Sequence, residues 1–286
     1  MSKFAIAGLQ LELDNKNNLP MLAKEIDTAM ARFPWIDMLV LGELCAYGTN
    51  TGHAQKKGEE IEIFFSKLAA KHNVWLIPGS YFQSISDQIY NTAIVINPAG
   101  EIIERYHKFY PFYPYEKGVS AGDHFVVFEV AGIGKFGVMI CYDQWFPELT
   151  RNLCWMGAEV IICPTMTNTI DRKNELVLAQ ANAISNQCYF ININSVGKLG
   201  YGESIIFGPE GETIHKAGFG SELIAVELNL EHVRNVRERG IHGLGQVLKS
   251  FRDHPVEYPV YLDRKNPGAF AELGELETPK SKYRGS

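Results

Sequence analysis

The run Gly134-Lys-Phe-Gly-Val-Met-Ile-Cys141 decides how this chain reads. Its apolar residues form a buried strand pattern that stops at a thiol. Gln144-Trp-Phe-Pro-Glu148 follows and reads as a helix start, with Pro147 in the first turn. A thiol on a strand-to-helix turn lies in the positive field of the helix N-terminus, which lowers its pKa and favours a nucleophilic thiolate. A cysteine taken at random is more often a small buried hydrophobe. The residues around this one argue for chemistry.

Outward from Cys141, strand and helix signals alternate. On the N-terminal side, strands are expected at 4–13, 38–41, 74–78, 90–97 and 101–106, with helices at 19–33 and 59–72. Pro98-Ala-Gly100 marks a hairpin. On the C-terminal side the pattern repeats, with helices at 146–156 and 173–187 and strands at 160–163, 189–194, 204–207, 212–215 and 223–228. Strands with helices to cover them imply a layered α/β architecture. Nothing resembling a linker divides the first 230 residues, so one domain is expected over 1–243. From Leu244 to Ser286, prolines at 255, 259, 267 and 279 predict an irregular tail that packs on other surface, such as a partner subunit.

The chain has 286 residues, a net charge of −6 and 46% hydrophobic composition, enough for a large core. It has no Lys/Arg block suited to nucleic acid or an anionic membrane. No apolar run approaches the roughly 20 residues that span a bilayer. The five cysteines, at 45, 141, 154, 163 and 188, are odd in number. Three of them lie in apolar segments, which fits reduced thiols and a cytoplasmic location. No C-x-x-C or H-E-x-x-H pattern suggests a metal site. Gly132-Ile-Gly-Lys-Phe-Gly137 matches G-x-G-x-x-G, but it precedes a strand where a dinucleotide fingerprint follows one, so a hairpin turn is expected.

A cysteine nucleophile needs a base. Glu43 follows the buried strand at 38–41 within Leu41-Gly-Glu-Leu-Cys-Ala-Tyr47. A carboxylate desolvated there has the raised pKa of a general base, although a solvated loop carboxylate is the plain alternative. Lys108 ends the strand at 101–106 and enters Phe109-Tyr-Pro-Phe-Tyr-Pro-Tyr115. A cation walled by aromatics can hold an oxyanion, whereas a surface lysine would do nothing. Glu116 can orient Lys108 or bind a substrate N–H. Phe112, Tyr113 and Trp145 flank these residues, and Thr165 and Met166 follow the strand at 160–163. All five are expected on the wall of a small aromatic pocket, with core packing as the competing role for the aromatics.

Glu43, Lys108 and Cys141 in that order, in the segments Gly42-Glu-Leu44, Arg105-Tyr-His-Lys108 and Gly137-Val-Met-Ile-Cys-Tyr-Asp143, resemble the Glu-Lys-Cys triad of the nitrilase superfamily of carbon–nitrogen hydrolases. Asn91-Thr-Ala93, Gly157-Ala-Glu-Val-Ile161 and Gly208-Pro-Glu-Gly211 extend the likeness over about residues 4–240. The resemblance implies a four-layer αββα sandwich, no metal or organic cofactor, and a homo-oligomer built from dimers. It also implies hydrolysis of a small non-peptide amide to a carboxylic acid and ammonia through a thioester. Glu43 acts as base, and Lys108 and the Tyr142 N–H hold the oxyanion. The step from Lys108 to Glu116 is similar to aliphatic amidases and formamidases. Cys141-Tyr-Asp-Gln-Trp-Phe-Pro-Glu148 is similar to N-carbamoyl amine amidohydrolases, the second reading. Leu44 and Phe112 depart from the aliphatic amidases, which carry Tyr and Trp there. A catalytically silent binding protein on the same fold is a third reading, and the complete triad argues against it.

Overall fold

The computed structural model describes residues 3–262 and 267–278. The parts of the expected tail at 263–266 and 279–286 lie outside them. The N-terminal half runs through β1 (Lys3–Gln10), β2 (Glu12–Leu13), α1 (Leu19–Arg32), β3 (Met38–Leu41), α2 (Glu60–His72), β4 (Trp75–Ile77), β5 (Tyr81–Ile85), β6 (Gln88–Ile96), β7 (Ile102–His107) and β8 (Val119–Ser120). The C-terminal half runs through β9 (Val126–Val130), β10 (Gly134–Val138), α3 (Pro147–Trp155), β11 (Val160–Pro164), α4 (Arg172–Asn186), β12 (Tyr189–Ile193), β13 (Val196–Gly197), β14 (Ile205–Phe207), β15 (Thr213–Lys216), β16 (Glu222–Asn229) and α5 (Leu230–Arg239).

One sheet has the order β16-β1-β3-β4-β6-β5, with β7 and β8 also paired to β6. The other has the order β15-β14-β12-β11-β10-β9. In each sheet the central strands are parallel: β1, β3 and β4 in the first, and β10, β11 and β12 in the second. Parallel strands need helical crossovers, and those helices cover the outer face. Side-chain alternation along β3 shows the layering. Met38 and Val40 join a core that contains Val138, Val160 and Phe190 of the second sheet. Leu39 and Leu41 join Leu22, Ile26, Ile61 and Phe65 of α1 and α2. Strand period two thus buries both faces, one against the other sheet and one against helices. The molecule is an αββα sandwich, as the resemblance implied.

Local chemistry sets the element ends. In α1, Leu22, Ile26 and Ala29 are buried at helical spacing, Pro20 stands in the first turn, and the helix stops before Pro34. The G-x-G-x-x-G run forms the β9–β10 hairpin, where Gly132 has a φ of 73°. The tail needs a correction. Val247–Asp253 forms a further helix, α6, and Pro259–Leu262 a short α7. The first proline after Leu244 is Pro255, so nothing interrupts the helical spacing of Val247, Leu248 and Phe251.

Candidate active site

Chain segments leaving the C-terminal ends of β3, β7, β10 and β11 meet over the seam between the two sheets. The β3 exit is pinned to the β11 exit by the Glu43 N–H, which donates to the Thr165 carbonyl at 3.2 Å. Gly42 is required there because a Cβ would come within 2.6 Å of Ser195 Oγ. The Leu44 N–H donates to Ser80 Oγ at 3.1 Å. This frame holds the Glu43 side chain inward, 1% exposed.

Lys108, 2% exposed, lies between two carboxylates. Its Nζ donates to Glu43 Oε1 at 2.8 Å and to Glu116 Oε2 at 2.7 Å. Asn91 on β6 bridges the same pair, its Nδ2 donating to Glu43 Oε1 at 2.8 Å and Glu116 Oε1 at 3.1 Å. The Phe112 N–H donates to Glu116 Oε2 at 2.5 Å. The environments push the three groups apart. Burial raises the Glu43 carboxyl, Lys108 pulls it partly back, and Glu116 adds to the rise. For Glu116, burial is outweighed by the Lys108 charge and its hydrogen bonds, so that carboxyl sits below its ordinary range. Burial alone would lower Lys108, yet the two carboxylates hold its ammonium well above its usual value. Glu43 is therefore the group of this trio poised to exchange a proton.

Cys141 opens a single 3-10 turn, Cys141–Trp145, and its φ is +45°. A non-glycine residue in the left-handed region is strained, and such strain persists where surrounding bonds over-determine it. Asp143 supplies those bonds. Its carboxylate accepts from the Tyr106 hydroxyl at 2.7 Å, the Tyr110 N–H at 2.9 Å and the Ile140 N–H at 3.0 Å. The first bonded donor of the turn is the Asp143 N–H, to the Ile140 carbonyl at 3.0 Å. The N–H of Tyr142 precedes it, as the leading donors of any helical turn do, and is not claimed by the turn.

The expected thiolate is corrected here. α3 begins only at Pro147, so the thiol lies at a 3-10 turn and not at the N-terminus of a long helix. Burial and the charges of Glu43 and Glu175 raise the thiol well above its ordinary value. Lys108 and the Met166 N–H offset this only in part. At neutral pH Cys141 is a thiol that must hand its proton to a base; its sulfur lies 3.6 Å from Thr167 Oγ1, and the Glu43 carboxylate acts on it through its charge.

A cavity of about 550 Å³ opens on Cys141. Phe112, Trp145 and Met166 line it, together with Tyr142. Tyr113 and Thr165 do not. The Tyr113 hydroxyl turns to the Val119 carbonyl, and Tyr115 faces the cavity instead. Thr165 is fully buried and bonded to the Cys163 carbonyl and to Asn192 Nδ2. Strand β11 continues one residue further than expected, through Pro164, and the cavity-facing positions move on to Thr167.

Sequence reasoning named Asn91 and Asp143 only within matching segments, with no role, and missed Thr167 and Glu175. Glu175 comes from the first turn of α4, with Oε1 3.9 Å from Cys141 Sγ and Oε2 accepting from Arg172 Nη1 at 3.0 Å. An acidic residue in the first helical turn ordinarily reads as helix-end complementation, so no spacing singled it out. Asn91 and Thr92, polar residues ahead of the apolar run 93–96, were a local signal for the bridging amide.

The carbon–nitrogen hydrolase family model matches residues 3–238. The omega-amidase Nit3 of Saccharomyces cerevisiae is 30% identical over 264 residues, spanning 82% of this chain and 90% of the relative. Its crystal structure, described as a member of branch 10 of the nitrilase superfamily, matches with a TM-score of 0.77 over 83% of this chain and 94% of that one. A 2-oxoglutaramate amidase of Bacillus subtilis is 30% identical over 214 residues, 71% of this chain and 82% of its own. A carbon-nitrogen hydrolase from Helicobacter pylori G27, 26% identical, matches with a TM-score of 0.78 over 91% of this chain and 98% of that one.

Proposed function

The chain belongs to the carbon–nitrogen hydrolase family of the nitrilase superfamily and is an amidase, and from that premise we propose that it cleaves the C–N bond of a small non-peptide amide through a Cys141 thioester. The observation that carries this reading is the Lys108 ammonium 2.8 Å from Glu43, whose charge bears directly on the Cys141 thiol at the floor of the cavity. Glu43 takes the thiol proton as sulfur attacks the amide carbon. The oxyanion that forms is met by Lys108 and by the Tyr142 N–H, donors fixed before the reaction begins. Glu43 passes its proton to the departing nitrogen and ammonia leaves. The same carboxylate then deprotonates a water that opens the thioester, releasing a carboxylic acid and restoring the thiol. Glu116 and Asn91 position Lys108 and Glu43.

The test is ammonia release from a panel of linear amides and carbamoyl amines, with mass spectrometry of the quenched enzyme. The expected result is turnover of an amide, an acyl adduct on Cys141, and loss of both in Cys141→Ala at unchanged thermal unfolding. Turnover of carbamoyl amines alone, with carbon dioxide released, overturns the amide reading. Activity above a few per cent of the parent in Cys141→Ala removes Cys141 from its role.

A further inference from the structure

The charge around the nucleophile is unbalanced. Five carboxyl groups, Glu43, Glu116, Asp143, Asp171 and Glu175, lie about two cations, Lys108 and Arg172, and both cations are committed. Lys108 is shared by Glu43 and Glu116. Arg172, fully buried, gives Nη1 to Glu175 Oε2 at 3.0 Å, Nε to the Gly202 carbonyl at 3.2 Å and Nη2 to the Glu203 carbonyl at 2.8 Å. Among the described residues that line the cavity there is no Lys, Arg or His, while Asp171 and Glu175 are both present. The N-terminus of α4, which could bind an anion, already carries Asp171 at its cap and Glu175 in its first turn.

Glu175 is built into this wall. It is 2% exposed, fixed through one oxygen by Arg172, and turns the other toward the Cys141 sulfur at 3.9 Å. A substrate carboxylate entering the cavity would meet this fixed acid and half-buried Asp171 with no cation to pair with, and like charges at short range in a desolvated site repel strongly. We propose that Glu175, with Asp171, is a specificity determinant that admits amides with a neutral or positively charged acyl group and rejects those with an acyl carboxylate. This sets the chain apart from the relative named a 2-oxoglutaramate amidase, since 2-oxoglutaramate carries a carboxylate on its acyl group. It rests on the amidase reading above for the identity of the pocket. It goes beyond that reading in naming the charge of the substrate. Repulsion built against the wrong ligand is as effective a device as attraction for the right one.

The experiment compares butyramide, 4-aminobutyramide and 2-oxoglutaramate. Wild-type kcat/KM for the anionic amide is expected about 100-fold or more below that for butyramide, the size of a few kilocalories of like-charge repulsion. In Glu175→Gln the anionic-to-neutral ratio is expected to rise at least about tenfold, and Asp171→Asn should shift it the same way to a smaller extent. Affinities of the Cys141→Ala protein for the same three amides, measured by calorimetry, report the charge preference without chemistry. They therefore separate this inference from the amidase reading: an inactive enzyme that still binds the neutral and cationic amides in preference to the anionic one fails the reading and keeps the inference. Turnover or binding of 2-oxoglutaramate equal to that of butyramide overturns it. So does an unchanged ratio in a Glu175→Gln protein that melts like the parent.

Discussion

At Glu43 the protein accepts instability in return for reactivity. Its carboxyl is raised because burial outweighs the attraction of Lys108. A carboxyl raised in the folded state contributes stability that is fully present below its unfolded pKa, and that contribution is lost as pH rises through the folded pKa. Ionised Glu43 at alkaline pH is therefore a burden on the fold, although it is the form the chemistry needs. Glu43→Gln removes the ionisation and keeps an oxygen to accept from Lys108 and Asn91. The variant is expected to lose activity by about 10²–10⁴-fold or more, the range for a general base. It is also expected to unfold at a higher temperature than the parent at pH 8, with the difference shrinking toward pH 4. Each kcal/mol is worth about 2–4 °C in a chain of this size. Calorimetric melts at both pH values check it, and a variant that melts below the parent at pH 8 would show that ionised Glu43 stabilises the fold. Lys108→Arg should be nearly inactive in the same assay of ammonia release, because a planar guanidinium cannot replace a compact ammonium held by two carboxylates in a fully buried slot.

The element that matters most is the turn between β10 and α3. The strand before it and Pro147 after it were legible, because apolar runs and proline have local signatures. The left-handed Cys141 and its Asp143 clamp were not, since they depend on Tyr106 of β7, in the other sheet, and Tyr110 of the loop that follows it. The same limit explains Glu175 and Thr167, which reach the thiol only through the packing of α4 and the β11 exit. It also explains Tyr113: its position beside Lys108 in sequence was right, but the loop turns its hydroxyl toward Val119. Strand ends carrying Glu43, Lys108 and Cys141 could be read because parallel α/β layers place chemistry at such ends. The clamp makes its own prediction. Burial raises Asp143 to about 7, against the pull of the Tyr106 hydroxyl, Lys108 and two backbone N–H groups. All three of its hydrogen-bond partners donate to the ionised form, so a proton on the carboxyl weakens or reverses at least one of these bonds and loosens the turn as pH falls through 7. Asp143→Asn imposes that mismatch at every pH. Its kcat/KM should lie furthest below the parent at pH 8 and approach it near pH 6, while Glu43 titrates alike in both and cancels from the ratio. A ratio that does not change between pH 6 and 8 would show that Asp143 does not titrate in this range.

At the scale of the whole molecule, the sandwich leaves an apolar region uncovered at the end of α3. Trp155 and Met156, at the end of α3, are 56% and 47% exposed, and the tail beyond α5 adds Tyr261 and Leu262 at 50% and 65%. The tail touches the body lightly. Phe251 meets Trp155 edge-on at 5.7 Å and lies under the Arg151 guanidinium at 5.1 Å, and the Tyr261 hydroxyl donates to Glu148 at 3.4 Å. Between them is a cleft of about 610 Å³ that includes Arg151, whose Nη1 is buried without a hydrogen bond. None of the described tail residues from Leu244 onward is buried. A contiguous apolar surface of this kind is a liability on a monomer, and self-complementary pairing through one two-fold axis is the commonest way to cover it. The occupant proposed for the α3–α6 face is a second copy of this chain, whose tail supplies the aromatic groups that one tail leaves exposed. The face starts from the same α3 whose first turn follows the Cys141–Trp145 segment, so pairing there would also stiffen the nucleophile turn. The full-length protein should sediment as a dimer or a multiple of dimers at micromolar concentration. Removal of residues 245–286 should lower the mass in solution or cause aggregation, and lower activity with it. A full-length chain that sediments as a monomer at that concentration, with full amide turnover, would sink the idea.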